Sequence, residues 1–171
     1  MKYKLDNIKV EKIRDTVEAD SKTIDSIVDD IIQPYCKDLD NYVVFIAECL
    51  NDGNNTVTDQ ELDDFCMNLS TYIYFASGMC ENLGIRDDIS RAVYREVYNS
   101  KRSALDKGTV ADKDSLAELE SQQEYITNVC YNRAYKILKA KVSSAQELLQ
   151  SCKKIVSRRM QETELSRIGR N

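Results

Sequence analysis

Arg91, Tyr94, Arg95, Tyr98, Lys101 and Arg102 lie within one stretch of twelve residues. Cationic groups can hold phosphates while aromatic rings stack on unpaired bases, so the set makes a sequence-tolerant platform for a single strand of nucleic acid. Tyr94 and Tyr98 stand one helical turn apart, beside the basic stripe. The same pattern also describes a solvated helix face with two tyrosines half buried against a core, and residue types alone leave both readings open. A second basic set, Lys136, Lys139, Lys153, Lys154, Arg158 and Arg159, follows further along the chain. It can track a phosphate backbone or flank a helix that assembles subunits.

Other chemistries find little support. The chain has no histidine, so the side chain most used for acid/base work near neutral pH is missing, and Ser-His or Cys-His nucleophilic sites with it. There is no G-x-x-x-x-G-K-[ST] phosphate loop and no G-x-G-x-x-G turn. Six cysteines (Cys36, Cys49, Cys66, Cys80, Cys130, Cys152) are scattered without a C-x-x-C pair, and they read as small buried hydrophobes rather than metal ligands or disulfides. Asp29-Asp30, Asp63-Asp64 and Asp87-Asp88 are adjacent pairs, and neighbours on a helix point about 100° apart, so neither member helps the other chelate an ion. The run Asp52-x-Asn54-x-Thr56-x-Thr58-x-x-Glu61 has part of a calcium-loop spacing. Leu50 holds the position of the first carboxylate and Asn55 that of the turn glycine, so a plain interhelical loop is the expectation. No catalytic residue, metal or cofactor is expected, and the chain is not read as an enzyme.

These side chains must be positioned by helices. One Pro and five Gly among 171 residues leave few breakers, and an all-α protein is predicted. A short helix is expected over Leu5–Val17. After Asp20-Ser21 an apolar series runs from Ile24 through Ile32 and on from Leu39 to Leu50, with a kink or break near Ile31–Tyr35 at Pro34. Asn51–Asn55 reads as a loop. Thr58 and Glu61 form a capping box before a helix whose stripe Leu62, Phe65, Cys66, Leu69, Ile73 and Ala76 is core and which ends near Gly78 or Gly84. Asp87 or Asp88 then caps a helix from Ile89 to about Lys107, stopped by Gly108. Ser115 and Glu118 suggest a second capping box opening a final helix that nothing interrupts before Gly169. At ~1.5 Å per residue that helix reaches about 75 Å, more than a domain of this size covers. Its apolar positions Ile137, Val142, Leu148, Leu149, Cys152, Ile155 and Met160 are therefore expected to pack against another subunit.

Charge divides the chain in the same way. Residues 133–171 hold ten Lys and Arg against three Glu, whereas residues 1–132 hold 14 basic and 26 acidic side chains. The organisation read from this is an acidic helical body over residues 1–110, carrying the basic and aromatic helix 89–107, and a long basic C-terminal helix over 111–171 for oligomerisation, within one domain. No apolar run approaches the ~18–20 residues of a membrane span, and the N-terminus lacks a signal-peptide stretch. A cytoplasmic homo-oligomer without membrane contact is expected.

The order of features resembles the UvsY-type recombination mediators of T-even-like phages. The resemblance is carried by Thr109-Val110-Ala111-Asp112-Lys113-Asp114 before the last helix. It continues through Gln123, Tyr125, Ile137, Lys141, Lys154-Ile155 and Arg159-Met160-Gln161-Glu162, with a weaker echo at Asp20-Ser21-x-Thr23, and it covers about half of the chain. It implies a small helical protein, in the host cytoplasm, that forms a ring-like oligomer through its C-terminal helix and binds single-stranded DNA. It further implies that the protein helps load a RecA-like recombinase in place of a single-strand-binding protein. The family's DNA contacts are basic residues on the helix before the matching segment, where this chain offers Arg91, Arg95, Lys101 and Arg102. The chain departs from the family in being acidic overall and in the added helix of about Thr58–Gly78. Another reading stands beside it: a phage-encoded protein-binding module acting through its acidic surface, either an inhibitor of a host nucleic-acid enzyme such as an anti-CRISPR, or a virion or scaffold component.

Overall fold

A computed structural model describes residues 7–52 and 57–168. Its elements are α1 (Asn7–Asn51), α2 (Asp59–Ser103), α3 (Val110–Glu120) and α4 (Gln122–Ile168), with no strand among the described residues. The fold is all-α, as composition predicts. Leu5 and residues 53–56, among them Asn54, Asn55 and Thr56 of the incomplete calcium spacing, lie outside the described residues.

Three expected interruptions do not occur: first, α1 continues without a break between Val17 and the expected start after Asp20-Ser21. Pro34 sits inside α1, which is continuous from Asn7 to Asn51. The missing donor and ring clash of an internal proline cost roughly 3 kcal/mol. The ring is solvent-exposed, however, and buried Val28 and Ile32 before it and Cys36, Leu39 and Ile46 after it hold the helix to its neighbours on both sides. Likewise α2 runs straight through Gly78, Gly84 and Asp87, because a buried series from Leu62 to Leu83 outweighs about 1 kcal/mol of helix propensity per glycine. Gly84 serves that packing: a Cβ there would stand 3.2 Å from Cε2 of Tyr135 on α4.

Other boundaries shift by a turn or two. The Thr58–Glu61 box is present, with Glu61 Oε2 accepting from the Thr58 backbone N–H at 2.7 Å and Thr58 Oγ1 accepting from the Glu61 N–H at 3.2 Å. The second box forms at Thr109 and Asp112 rather than at Ser115 and Glu118. Thr109 Oγ1 accepts from the Asp112 N–H at 3.2 Å, and Asp112 accepts from the Thr109 N–H at 3.1 Å. Gly108, at φ +113°, makes the left-handed turn into this cap instead of terminating α2. The final helix is also divided at Ser121, whose hydroxyl donates to the Ala117 carbonyl at 2.7 Å.

The chain divides into two compact units. The first combines α1 up to Gln33 with residues 87–134, and the second combines residues 34–86 with α4 from Tyr135 onward. The boundary in α1 falls at Pro34. In the second unit Leu39, Ile46, Leu62, Phe65, Leu69, Ile73, Ala76, Val142, Ala145 and Cys152 form an apolar core. Burying each of the Leu, Ile, Val and Phe side chains contributes roughly 1.5–3 kcal/mol before entropy is counted, and the two Ala contribute less. The first unit is different in kind: beside Val28 and Ile32 its buried residues are small or polar, namely Asp87, Ser90, Ala117, Ser121, Cys130 and Ala134.

The apolar stripe of α4 is consumed by this arrangement. Val142 and Cys152 lie in the core of the second unit, and Leu148, Leu149 and Ile155 pack against it, so these five do not form the exposed seam expected for oligomerisation. Ile137 and Met160 stay exposed. The physical reason is length: α1 and α2, at 45 residues each, supply intrachain partners for the 47-residue α4. No helix is long and apolar enough to cross a membrane among the described residues.

Candidate nucleic-acid interface

The stretch 91–102 lies at the end of α2 in the first unit, and α3 brings carboxylates to it. Arg102 pairs with Asp114, and Tyr98 Oη donates to the same Asp114 oxygen at 3.3 Å. Lys101 Nζ is 3.3 Å from Glu120. Arg91 reaches back along its own helix to Asp87 at 3.1 Å and to Asp88 at 3.9 Å. Burial raises the Tyr98 phenol above its ordinary value, and the Asp114 carboxylate adds to the effect. The hydrogen bond to Asp114 raises the Arg102 guanidinium. Arg95 is exposed and has no acidic partner among the described residues. Three of the four cations expected on this face are thus already neutralised within the chain.

The two tyrosines are joined by a third. Tyr94 lies 6.2 Å from Tyr98 and 5.5 Å from Tyr125 of α4, centroid to centroid. Tyr94 and Tyr125 line a cleft of about 310 Å³ together with Glu118 and Gln122. Tyr94 and Tyr98 are half-buried while Tyr125 is 51% exposed, so Tyr125 presents the most open ring of the group. Spacing along α2 exposes the first two rings. Nothing local reveals Tyr125, because its contact crosses from one helix to another.

Sequence reasoning also missed the polar centre of this unit. Asp87, expected to cap a helix, is instead 4% exposed inside one. Its carboxylate accepts from Arg91 at 3.1 Å, Asn132 Nδ2 at 2.9 Å and Asn128 Nδ2 at 3.3 Å. Ser90 donates to the Asp87 carbonyl at 2.8 Å and accepts from Asn128 at 3.0 Å. Asp88 points to solvent, as the 100° offset between neighbours requires. Arg91 is therefore the counter-ion of a buried carboxylate.

In the second unit the basic residues of α4 sort into two groups. Arg159 bonds the Val57 carbonyl at 2.6 Å and Asp59 at 3.0 Å, tying α4 to the start of α2, and Arg158 lies 3.5 Å from Glu162. Lys136, Lys139, Lys153 and Lys154 are exposed and have no carboxylate partner among the described residues. Lys139 Nζ lies 5.7 Å from the Tyr135 ring centroid. Lys136 and Lys154 are five helical turns apart, which aligns them on one side of α4 over about 27 Å with exposed Glu147 between them, and Lys139 and Lys153 flank that line, turned from it by about 60° and 100°. This face can meet several phosphates spaced ~3.4 Å apart along a strand.

None of the six cysteines is in a disulfide among the described residues, and four of them are buried. Burial raises the thiols of Cys66, Cys80, Cys130 and Cys152. Among the described residues no cluster of three or more Cys, Asp or Glu is arranged to hold a metal ion. Comparison with the models of known protein families, with curated proteins and with solved structures finds no match to this chain.

Proposed function

We propose that the chain is a non-catalytic helical protein that binds single-stranded DNA through the outward lysine face of α4. The observation that supports this reading is the set Lys136, Lys139, Lys153 and Lys154, exposed and unneutralised in an acidic chain. Arg95 and the open ring of Tyr125 add a secondary contact in the first unit. Arg91, Lys101, Arg102 and Arg159 are assigned instead to intrachain ion pairs, and Arg158 contributes weakly through its exposed pair with Glu162. The resemblance to UvsY-type mediators extends the proposal to a role: helping a RecA-like recombinase displace a single-strand-binding protein.

The test is fluorescence anisotropy of a labelled single-stranded oligonucleotide with the full chain. Replacing the four lysines by Ala should abolish most binding, whereas Arg95→Ala with Lys101→Ala should weaken it less. Absence of binding by the wild-type protein at low salt removes the proposal.

A protein-binding module working through its acidic surface is the second reading, and one observation favours it. Asp15, Glu18, Asp20, Asp25, Asp29 and Asp30 are exposed along α1 against Arg14 and Lys22. That reading predicts no affinity for the oligonucleotide and co-purification with a basic protein.

A further inference from the structure

The segment Phe65–Cys80 of α2 contains no Asp, Glu, Lys or Arg, in a chain that is 31% charged. Sixteen residues make more than four helical turns, so both sides of the helix lack charge there. One side is the core of the second unit. The other carries Met67, Tyr74 and Phe75 at 71%, 75% and 61% exposure, with Ile85 continuing the same face. Thr71 shares this face, and its hydroxyl is already satisfied by the Met67 carbonyl at 3.1 Å. At the centre of the face stands Gly78, where an added Cβ would meet nothing within 4 Å. The packing that explains Gly84 is absent around it, so within one copy this glycine only weakens the helix. Tyr74, Phe75 and Met79 border an open cleft of about 470 Å³ beside it.

We infer that this outer face of α2 pairs with the same face of a second copy, antiparallel, about a two-fold axis near Ala76 and Ser77. Self-complementarity carries the choice of partner. Positions equidistant from that axis meet, so Phe75 of each copy seats on Gly78 of the other, a ring into the gap left by the missing side chain. Charge agrees with the direction: the face is bounded by Asp64 at one end and by Glu81, at the rim of the cleft, and Arg86 at the other, all three exposed. In the antiparallel pair Arg86 lies opposite Met67, one turn from Asp64. A parallel pair would set Asp64 against Asp64. The large apolar side chains leave roughly 600 Å² facing water, at the upper limit for a monomer and near the ~800 Å² per partner of an ordinary interface. The pairing uses none of the lysines proposed to hold DNA and stands or falls without that reading.

Sedimentation velocity on the full chain without DNA, from about 1 to 100 µM, tests it over the affinity range of such interfaces. The wild type is expected to be dimeric, with Phe75→Glu weakening the dimer by roughly 30-fold or more and helicity retained by circular dichroism. Thr71→Glu, exposed on the same face, should do likewise and decides the matter where Phe75→Glu fails to fold. Asp64→Lys should weaken the dimer and Asp64→Lys with Arg86→Glu should restore it. A wild type monomeric throughout the range, a dimer indifferent to both face variants, or a charge exchange that fails to restore pairing would each overturn the inference.

Discussion

Replacing Asp87 with Ala deletes the acceptor shared by Arg91, Asn128 and Asn132. Arg91 is 43% exposed, so its guanidinium regains water at little cost. Asn128 keeps an acceptor in Ser90 Oγ at 3.0 Å. Asn132 is half-buried and loses the Asp87 oxygen to which its amide donates at 2.9 Å, and an amide left without an acceptor away from water costs about 1–3 kcal/mol. With the weakened Asn128 contact the total should reach about 2–4 kcal/mol. For a chain of this size ~1 kcal/mol moves Tm by about 2–4 °C, so Asp87→Ala should lower Tm by roughly 10 °C. Asp87→Asn keeps the shape and one acceptor and should cost about half as much. Arg91→Ala leaves the carboxylate without its cation and should also destabilise, yet leave oligonucleotide affinity unchanged, because Arg91 is a counter-ion here and not a DNA contact. Thermal unfolding followed by far-UV circular dichroism measures the first three, and anisotropy the last. A Tm within ~2 °C of wild type for Asp87→Ala would refute the assignment of this network as the polar centre of the first unit.

Three further outcomes are expected. Hydrogen bonds from the Thr58 backbone hold Glu61 below its ordinary value, and the Thr109 hydroxyl does the same for Asp112. Both contributions are present above the ordinary carboxylate range and vanish as pH falls through the lowered values, so Tm should fall on acidification below about pH 4.5, less steeply in Glu61→Gln with Asp112→Asn. Equal acid slopes would contradict this. Thiol titration of the native protein should find at most Cys49 and Cys66 reacting promptly, the other four only on unfolding. Gly84→Ala gains about 1 kcal/mol of helix propensity but must move Tyr135, at about 1–3 kcal/mol, so a stabilised variant would show the α2–α4 contact to be loose.

The fold was legible where the pattern is local. The scarcity of breakers gives helices, Thr58 and Glu61 give the start of α2, and Leu62 to Ala76 give its buried stripe. Pro34, Gly78 and Gly84 mislead, because their cost is local while the burial that overrides it comes from other helices. The same limit applies to the site. Of the six basic residues expected to form a surface on the last helix, Lys136, Lys139, Lys153, Lys154 and Arg158 are exposed while Arg159 is tied to Val57 and Asp59, and the carboxylates that neutralise Lys101 and Arg102 arrive on α3, whose placement no spacing announces. Asp87 reads as a cap because acids commonly begin helices, and only the facing Asn128 and Asn132 show it to be a buried acceptor. The α4 stripe reads as a subunit contact because so long a helix exceeds an ordinary domain of this size, whereas α1 and α2, at 45 residues each, supply partners for it within the chain.

The measurement that bears most directly on the account is the salt dependence of oligonucleotide affinity for the wild type and for the variant with Ala at Lys136, Lys139, Lys153 and Lys154. Each phosphate held by a single strand contributes about 0.7 to the slope of log affinity against log salt, so four lysines should make the wild-type slope steeper by about 3. Parallel lines for the two proteins would contradict the assignment of this face to DNA.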